Sequence, residues 1–290
     1  MNQENTTEQY LQQLRNMGFN EDMINMYRQQ MTQYVNVANT WASQLKEETG
    51  HVKMFSGSEA DEVMLNTDTT LTKQQQWAVA CGADLAFAND QYLNDVTTGM
   101  DKALCRRLLS EWWDIDSQEE LLETIEWLKE EGHRLQYDTI CQALHTVSVK
   151  ESKEFLRSYA VSSEQDEEIV IGRLRNTRDA LELFRSEQLI GETEQPDTLI
   201  WDYARIINLC RGGYDAGYIT YEQALDIILS CVPAIKSTYT SWRNLSVSYQ
   251  FARCVWNGVD EDSFEELRDG MHTLLTHEKS PWVVLPWHLS

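Results

Sequence analysis

Proline and glycine are scarce in this chain, four and thirteen in 290 residues. A fold of many short strands needs turn residues every ~8–12 positions, so a turn-dense β architecture is excluded and long helices are expected. Paired cysteines are absent as well: the six cysteines stand alone at positions 81, 105, 141, 210, 231 and 254. With no C-x-x-C there is nothing on which to build a zinc ribbon or a thioredoxin-type redox pair. Cys81, Cys210, Cys231 and Cys254 have apolar neighbours and read as small buried residues of a reducing compartment. No apolar run approaches the ~18–20 residues that span a bilayer. Met1-Asn2-Gln3-Glu4-Asn5 lacks the basic and apolar regions of a signal peptide. The expectation is a cytoplasmic protein that makes no use of a membrane.

Basic residues are in short supply too. Twenty-four Lys and Arg face 47 Asp and Glu, a formal charge of −23. A field of that sign repels phosphate backbones and anionic lipids, which excludes nucleic acid as a partner and favours a basic protein surface. No H-E-x-x-H, P-loop, G-x-G-x-x-G or G-x-S-x-G occurs, so the common metalloprotease, nucleotide and hydrolase signatures are missing.

What the chain has is apolar and aromatic matter: 42% hydrophobic residues and ten tryptophans, ample for a large core. Its periodicity is helical. Asn20 caps a long amphipathic stripe (Ile24, Tyr27, Met31, Tyr34, Ala38, Trp41, Leu45), after which 50–70 loses its pattern and reads as a linker. Thr72 and Gln75 stand at capping-box spacing, and an alanine-rich buried helix is expected from Trp77 to Tyr92. Ser117 and Glu120 open another helix, whose outer face carries Glu119, Glu123, Glu126 and Glu130 and which ends at Gly132. A helix from Thr198 is expected to stop at Gly212-Gly213. Thr220 and Gln223 start the next one, which Pro233 is expected to kink or end, and Trp242, Leu245, Tyr249, Ala252 and Trp256 align on a third. The fold class read from this is all-α, a multi-helix orthogonal bundle (67–290) preceded by a helical N-terminal extension (1–66).

Several elements, in order, resemble the uncharacterised bacterial family labelled domain of unknown function 1266. They are Trp77-Ala78; Trp127-Leu128 with Gly132-His133-Arg134; Trp201-Asp202-x-x-Arg205 with Asn208; Gly213-Tyr214 and Gly217-Tyr218-Ile219 with Glu222 and Ala224; Ser241-Trp242; Arg253 with Trp256; and Ser280-Pro281-Trp282 with Leu285-Pro286-Trp287. The resemblance covers about residues 72–290. It supports the domain boundary and implies no activity.

The candidate site residues are polar groups on apolar helices. Trp201, Arg205 and Asn208 share a face, Asp202 reaches Arg205 at i+3, and isoleucines and leucines surround them. A buried arginine needs a partner. One reading pairs Asp202 with Arg205 as a bridge between helices, aided by Glu222 or the Tyr218 hydroxyl. The other makes an anion pocket in which Arg205 and Arg253, with Asn208 and Tyr249, hold a carboxylate or phosphate. His133 and Arg134 follow a helix-ending glycine, where cations suit the free carbonyls. General acid–base chemistry at His133 is the alternative, with no partner visible in the sequence.

Glu48-x-x-His51 and Glu130-x-x-His133 have di-iron spacing, but a glycine precedes each histidine where the helix must be regular. No metal and no cofactor are therefore expected. The C-terminal tryptophans read as core, with Trp282 and Trp287 strapping the tail to the bundle. Two functions stand: a non-catalytic interaction protein that presents an acidic helical surface to a basic partner, or an enzyme or sensor that takes a small anionic ligand through Arg205 and Arg253.

Overall fold

The computed structural model describes residues 63–145, 148–163 and 165–289, so the expectations for positions 1–62 lie outside the described residues. Among the described residues there are twelve α-helices and no strand.

The first two helices, α1 (Lys73–Ala80) and α2 (Ala83–Phe87), replace the single helix expected over Trp77–Tyr92. The break falls at Gly82, where a Cβ would sit 3.0 Å from Ile207 Cγ2, so glycine allows the chain to turn against a neighbouring helix. α3 (Lys102–Trp113), α4 (Gln118–Glu130), α5 (Arg134–Leu144), α6 (Val149–Ser162) and α7 (Glu167–Ser186) follow. The capping chemistry is where the sequence placed it. Thr72 and Gln75 close a capping box, and the Ser117 hydroxyl accepts from Glu120 N at 3.2 Å.

The organising element is α8 (Leu199–Ala216), which buries thirteen of its 18 residues, Asp202 and Arg211 included. α9 (Tyr221–Thr238), α3, α4, α2 and α10 (Trp242–Asn257) pack around it. Fully burying one Leu or Ile contributes about 1.5–3 kcal/mol. The cluster formed by Ile200, Ile206, Ile207 and Leu209 with Leu121, Leu128, Ile228 and Leu245 is therefore the main stabilising mass. α8 does not stop at Gly212-Gly213. A Cβ on Gly213 would lie 2.3 Å from Leu121 Cδ2, so this glycine permits close approach of α4 instead of ending the helix. The stop is Gly217, left-handed at φ 76°, with Tyr218 N donating to Gly213 O at 2.8 Å. Pro233 lies inside α9, which continues to Thr238. The Tyr239 hydroxyl accepts from Ile200 N at 2.9 Å and donates to Asp197 O at 3.2 Å, pinning the start of α8.

A second layer is built from α5, α6 and α7, with α7 laid along α10. α11 (Glu261–Thr276) and α12 (Pro281–Val284) return the chain to the first helices. Four tryptophans lock that return. Trp242 stacks on Trp282 at 5.6 Å and meets Trp287 edge-on at 4.8 Å, and Trp77 packs against Trp242 at 5.0 Å. Their polar ends are satisfied in part: Trp282 Nε1 donates to Ala80 O and Trp242 Nε1 to Leu285 O, each at 2.8 Å. The six cysteines are free thiols.

Candidate functional site

Asp202, on the first turn of α8, is wholly buried and accepts four hydrogen bonds. They come from His133 N (3.0 Å) and His133 Nδ1 (2.7 Å) on Oδ1, and from Arg134 N and Nη1 (both 3.1 Å) on Oδ2. That uses the full capacity of a carboxylate. It also places a negative charge at the N-terminus of α5, where the helix dipole favours it. Arg134 turns back to the preceding helix and donates to Leu128 O and Lys129 O, both at 2.6 Å. Asp202 thus ties the α4–α5 junction to α8 through His133 and Arg134, not through Arg205. Gly132 sits in the junction at φ 60°, where a Cβ would lie 2.3 Å from Asp202 Oδ2. Only glycine fits there.

Arg205 is handled differently. Its Nη1 donates to Trp201 O at 2.7 Å, and its guanidinium lies 3.4 Å over the Trp201 ring. The residue keeps an exposed edge, yet burial of the guanidinium pushes its pKa down, opposed by Tyr249 and Asp202 and reinforced by Arg253. Among the described residues no carboxylate pairs with it. Arg205 and Asn208 lie on a cleft of about 210 Å³ whose walls include Leu85, Met100, Leu108, Trp112 and Trp113. Trp112 stands at the rim, 72% exposed. The floor is polar and cationic and the walls are apolar, which is the arrangement that orients a small ligand.

Beside the cleft the segment between α2 and α3 is held by Arg211, which is fully buried. Its guanidinium donates to Asp95 O (3.1 Å), Thr97 O (3.2 Å), Tyr92 O and Gln91 Oε1 (3.2 Å). Burial lowers its pKa to about 10, against the pull of Asp215 and Asp95, so it stays cationic at neutral pH. Gln91 Oε1 also accepts from Asn208 Nδ2 at 2.9 Å, joining this anchor to the cleft floor. Tyr249, buried on α10, is hydrogen-bonded to Arg205, and burial pushes its pKa up, opposed by Arg205 and reinforced by Asp84. The Asp84 carboxyl is closed in, and burial pushes its pKa up to about 7 against the Ser246 hydroxyl, which donates to Oδ1 at 2.8 Å. Asp84 Oδ2 and Gln250 Oε1 are both buried, with no donor among the described residues.

A second cleft, of about 180 Å³, is lined by Trp127, Glu131, His133, Gln136, Tyr159, Arg173 and Trp256, among others. Trp201 and Trp256 meet at 6.0 Å, and Arg173 lies 5.1 Å over Trp256 as Arg205 lies over Trp201.

The sequence-derived candidates are therefore divided. Asp202, His133 and Arg134 meet at the α4–α5 junction, Arg205 and Asn208 line the first cleft, and Tyr249 is buried beside Arg205 without lining that cleft. Arg253 is near enough to act on Arg205 but lines a separate hollow of about 60 Å³ with Asn257 and Asp260. Tyr218 is at the other end of α8, with the Arg106 guanidinium 5.4 Å over its ring, and Glu222 is exposed on α9. Sequence reasoning missed Arg173, Gln91 and Asp84. Of these only Asp84 carried a signal, an acid inside the apolar run Cys81-Gly82-Ala83-Asp84-Leu85-Ala86. A wider hollow of about 550 Å³ between α7 and residues 192–195 holds none of the candidates and is lined by charges of both signs. Among the described residues no cluster of three or more His, Cys, Asp or Glu is placed to hold a metal, and no helix is long and apolar enough to cross a membrane.

The family model described as Protein of unknown function (DUF1266) matches residues 108–287, and the chain belongs to that family. No curated protein and no solved structure matches the chain. The matched span contains His133, Arg134, Asp202, Arg205, Asn208 and Arg253.

Proposed function

We propose that this member of the DUF1266 family binds a small organic carboxylate with an apolar body in the Arg205 cleft. The observation that carries the reading is an enclosed guanidinium that has no carboxylate partner among the described residues, at the floor of an apolar-walled cleft. Burying a cation unpaired is costly. The chain holds 47 acidic residues, so the missing partner does not reflect any shortage of acid. A bound carboxylate supplies the counter-charge through the N–H groups that Arg205 does not use on Trp201 O or Tyr249, with Asn208 beside it. Met100, Leu108, Trp112 and Trp113 take the body of the ligand. The reading is one of binding, and no reaction is assigned to it.

The test is a thermal-shift and calorimetric panel of aryl and alkyl carboxylates, each beside its neutral primary amide. A carboxylate at 100 times its dissociation constant stabilises by about 2.7 kcal/mol, or roughly 5–10 °C. The amide is expected to give no shift, and Arg205→Met to abolish the carboxylate shift. Where Arg205→Met fails to fold, Trp112→Ala at the exposed rim is expected to weaken the same ligands without loss of structure. Equal shifts with acids and amides overturn the reading.

A second reading keeps α4 as a docking surface for a basic protein. Its exposed face sets Leu122 and Trp127 among Glu119, Glu123 and Glu126, an apolar anchor inside an acidic field. Charge reversal of those three glutamates is expected to abolish capture of a basic partner and leave carboxylate binding intact.

A further inference from the structure

The second cleft has a chemistry of its own. His133 presents Nδ1 to a carboxylate that is buried and already fully engaged as an acceptor. An ionised carboxylate cannot donate, so the proton in that 2.7 Å contact belongs to Nδ1. In the neutral ring Nε2 then carries a lone pair. The side chain is 26% exposed and lines the cleft, and with its Nδ1 edge against Asp202 the accessible edge is the one that bears Nε2. Trp127 and Trp256 hold the ring edge-on from two sides, at 5.1 and 5.8 Å.

Arg173 reaches the same cleft from α7. One of its N–H groups goes to the amide oxygen of Gln136, and burial lowers its pKa against the opposing influence of Tyr159. Among the described residues it has no ion-pair partner. The charged and titratable groups around His133 are Asp202 on α8, Arg134 on its own helix, Glu131 at the end of α4, Tyr159 on α6 and Arg173 on α7. Asp202 is neutralised by Arg134 and the α5 N-terminus. Arg173 therefore faces the cleft as a cation, beside an imidazole whose free nitrogen accepts.

We propose that this cleft binds a tetrahedral oxyanion that keeps a proton, hydrogen phosphate above all, with Arg173 taking its charge and His133 Nε2 accepting its P–OH hydrogen. The geometry selects by proton inventory. Hydrogen phosphate retains a proton throughout the neutral range and can donate it to Nε2. Sulfate has none, and a phosphate monoester loses its last one at a pKa near ~6. For those two the anion oxygen and the Nε2 lone pair of the neutral ring repel. No covalent step is involved, only the sharing of one proton across one hydrogen bond.

The experiment is isothermal titration of the full chain with inorganic phosphate, sulfate and methyl phosphate at about pH 8 and again at about pH 6. The expected result at the higher pH is that phosphate binds at least about tenfold more tightly than the other two. At the lower pH methyl phosphate regains its last proton in part, so its affinity is expected to rise toward that of phosphate while sulfate stays weak. Arg173→Met is expected to remove all three. His133→Gln offers both a donor and an acceptor and is expected to bind phosphate and sulfate alike at both pH values, with circular dichroism confirming that the fold is intact. The imidazole 15N resonances supply a second readout, since phosphate is expected to shift Nε2 and leave Nδ1 in place. Phosphate and sulfate of equal affinity at the higher pH in the wild-type protein, or phosphate binding that survives Arg173→Met, overturns the proposal. Tighter binding of methyl phosphate than of inorganic phosphate at the higher pH overturns it as well.

Discussion

Replacing Asp84 by asparagine tests whether the polar cluster behind the Arg205 cleft is correctly understood. Asp84 has a carboxyl pKa of about 7 in the folded protein against an ordinary value of 3.8. Burial is the cause, opposed in part by the Ser246 hydroxyl. Between these two values the folded chain holds a proton that the unfolded chain has released. The slope of unfolding free energy with pH is therefore negative, and stability falls as pH rises through the window. Taking ionisation at 3.8 unfolded and about 7 folded, raising the pH from about 5 to about 8 costs roughly 2–3 kcal/mol from this one group.

Asparagine keeps the shape and does not titrate. Its oxygen can accept from Ser246, and its amide supplies a donor to the neighbourhood that contains the unpaired Gln250 Oε1. The other carboxylates act alike on both proteins, so the informative quantity is the difference between them. Urea unfolding followed by tryptophan fluorescence at several pH values gives that difference. The advantage of Asp84→Asn is expected to widen by about 2–3 kcal/mol from pH ~5 to pH ~8, at an unchanged denaturant slope. Parallel pH profiles for the two proteins, within about 0.5 kcal/mol, would refute the burial of this carboxyl and the protonation argued from it.

Three further substitutions probe the frame around the clefts. Arg211→Met strips the donors from Asp95 O, Thr97 O, Tyr92 O and Gln91 Oε1. A loss of about 3–5 kcal/mol is expected by denaturant unfolding, with the segment between α2 and α3 opening first in hydrogen exchange. Gly132→Ala combines a left-handed backbone with a Cβ set 2.3 Å from Asp202 Oδ2. It is expected to cost about 2–4 kcal/mol, and an unchanged melting temperature would contradict the junction described. Trp282→Phe keeps most of the stack on Trp242 but gives up the hydrogen bond to Ala80 O. About 1–3 kcal/mol is expected in unfolding experiments.

Helix starts were legible because they depend on a few adjacent residues. Thr72/Gln75, Ser117/Glu120 and Thr220/Gln223 form their caps wherever the following helix is packed. Helix ends were less so. Gly212-Gly213 has the composition of a stop but stays helical, and the real stop is Gly217, which takes the left-handed conformation. Leu121 presses on Gly213 and leaves no room for a side chain, so that glycine serves contact between helices. The same limit governs the site. Asp202 and Arg205 are correctly spaced to pair, yet the α5 N-terminus offers Asp202 two backbone N–H groups, an imidazole and a guanidinium at once. No single arginine on its own helix competes with that.

Periodicity, capping signals and the scarcity of proline and glycine, all read within a turn or two of chain, determined that this protein is helical and where most helices begin. The ordered tryptophans, glycines and His-Arg pair carried the family as well. Tertiary structure alone decided which charges are paired. Asp202 meets residues 69 and 68 positions away, and Arg173 reaches Gln136 across 37. Local spacing fixes which face of a helix a side chain occupies. Which partner waits on the other side depends on how the helices pack, and that packing left Arg205 and Arg173 each on a tryptophan face with no acid paired to it among the described residues.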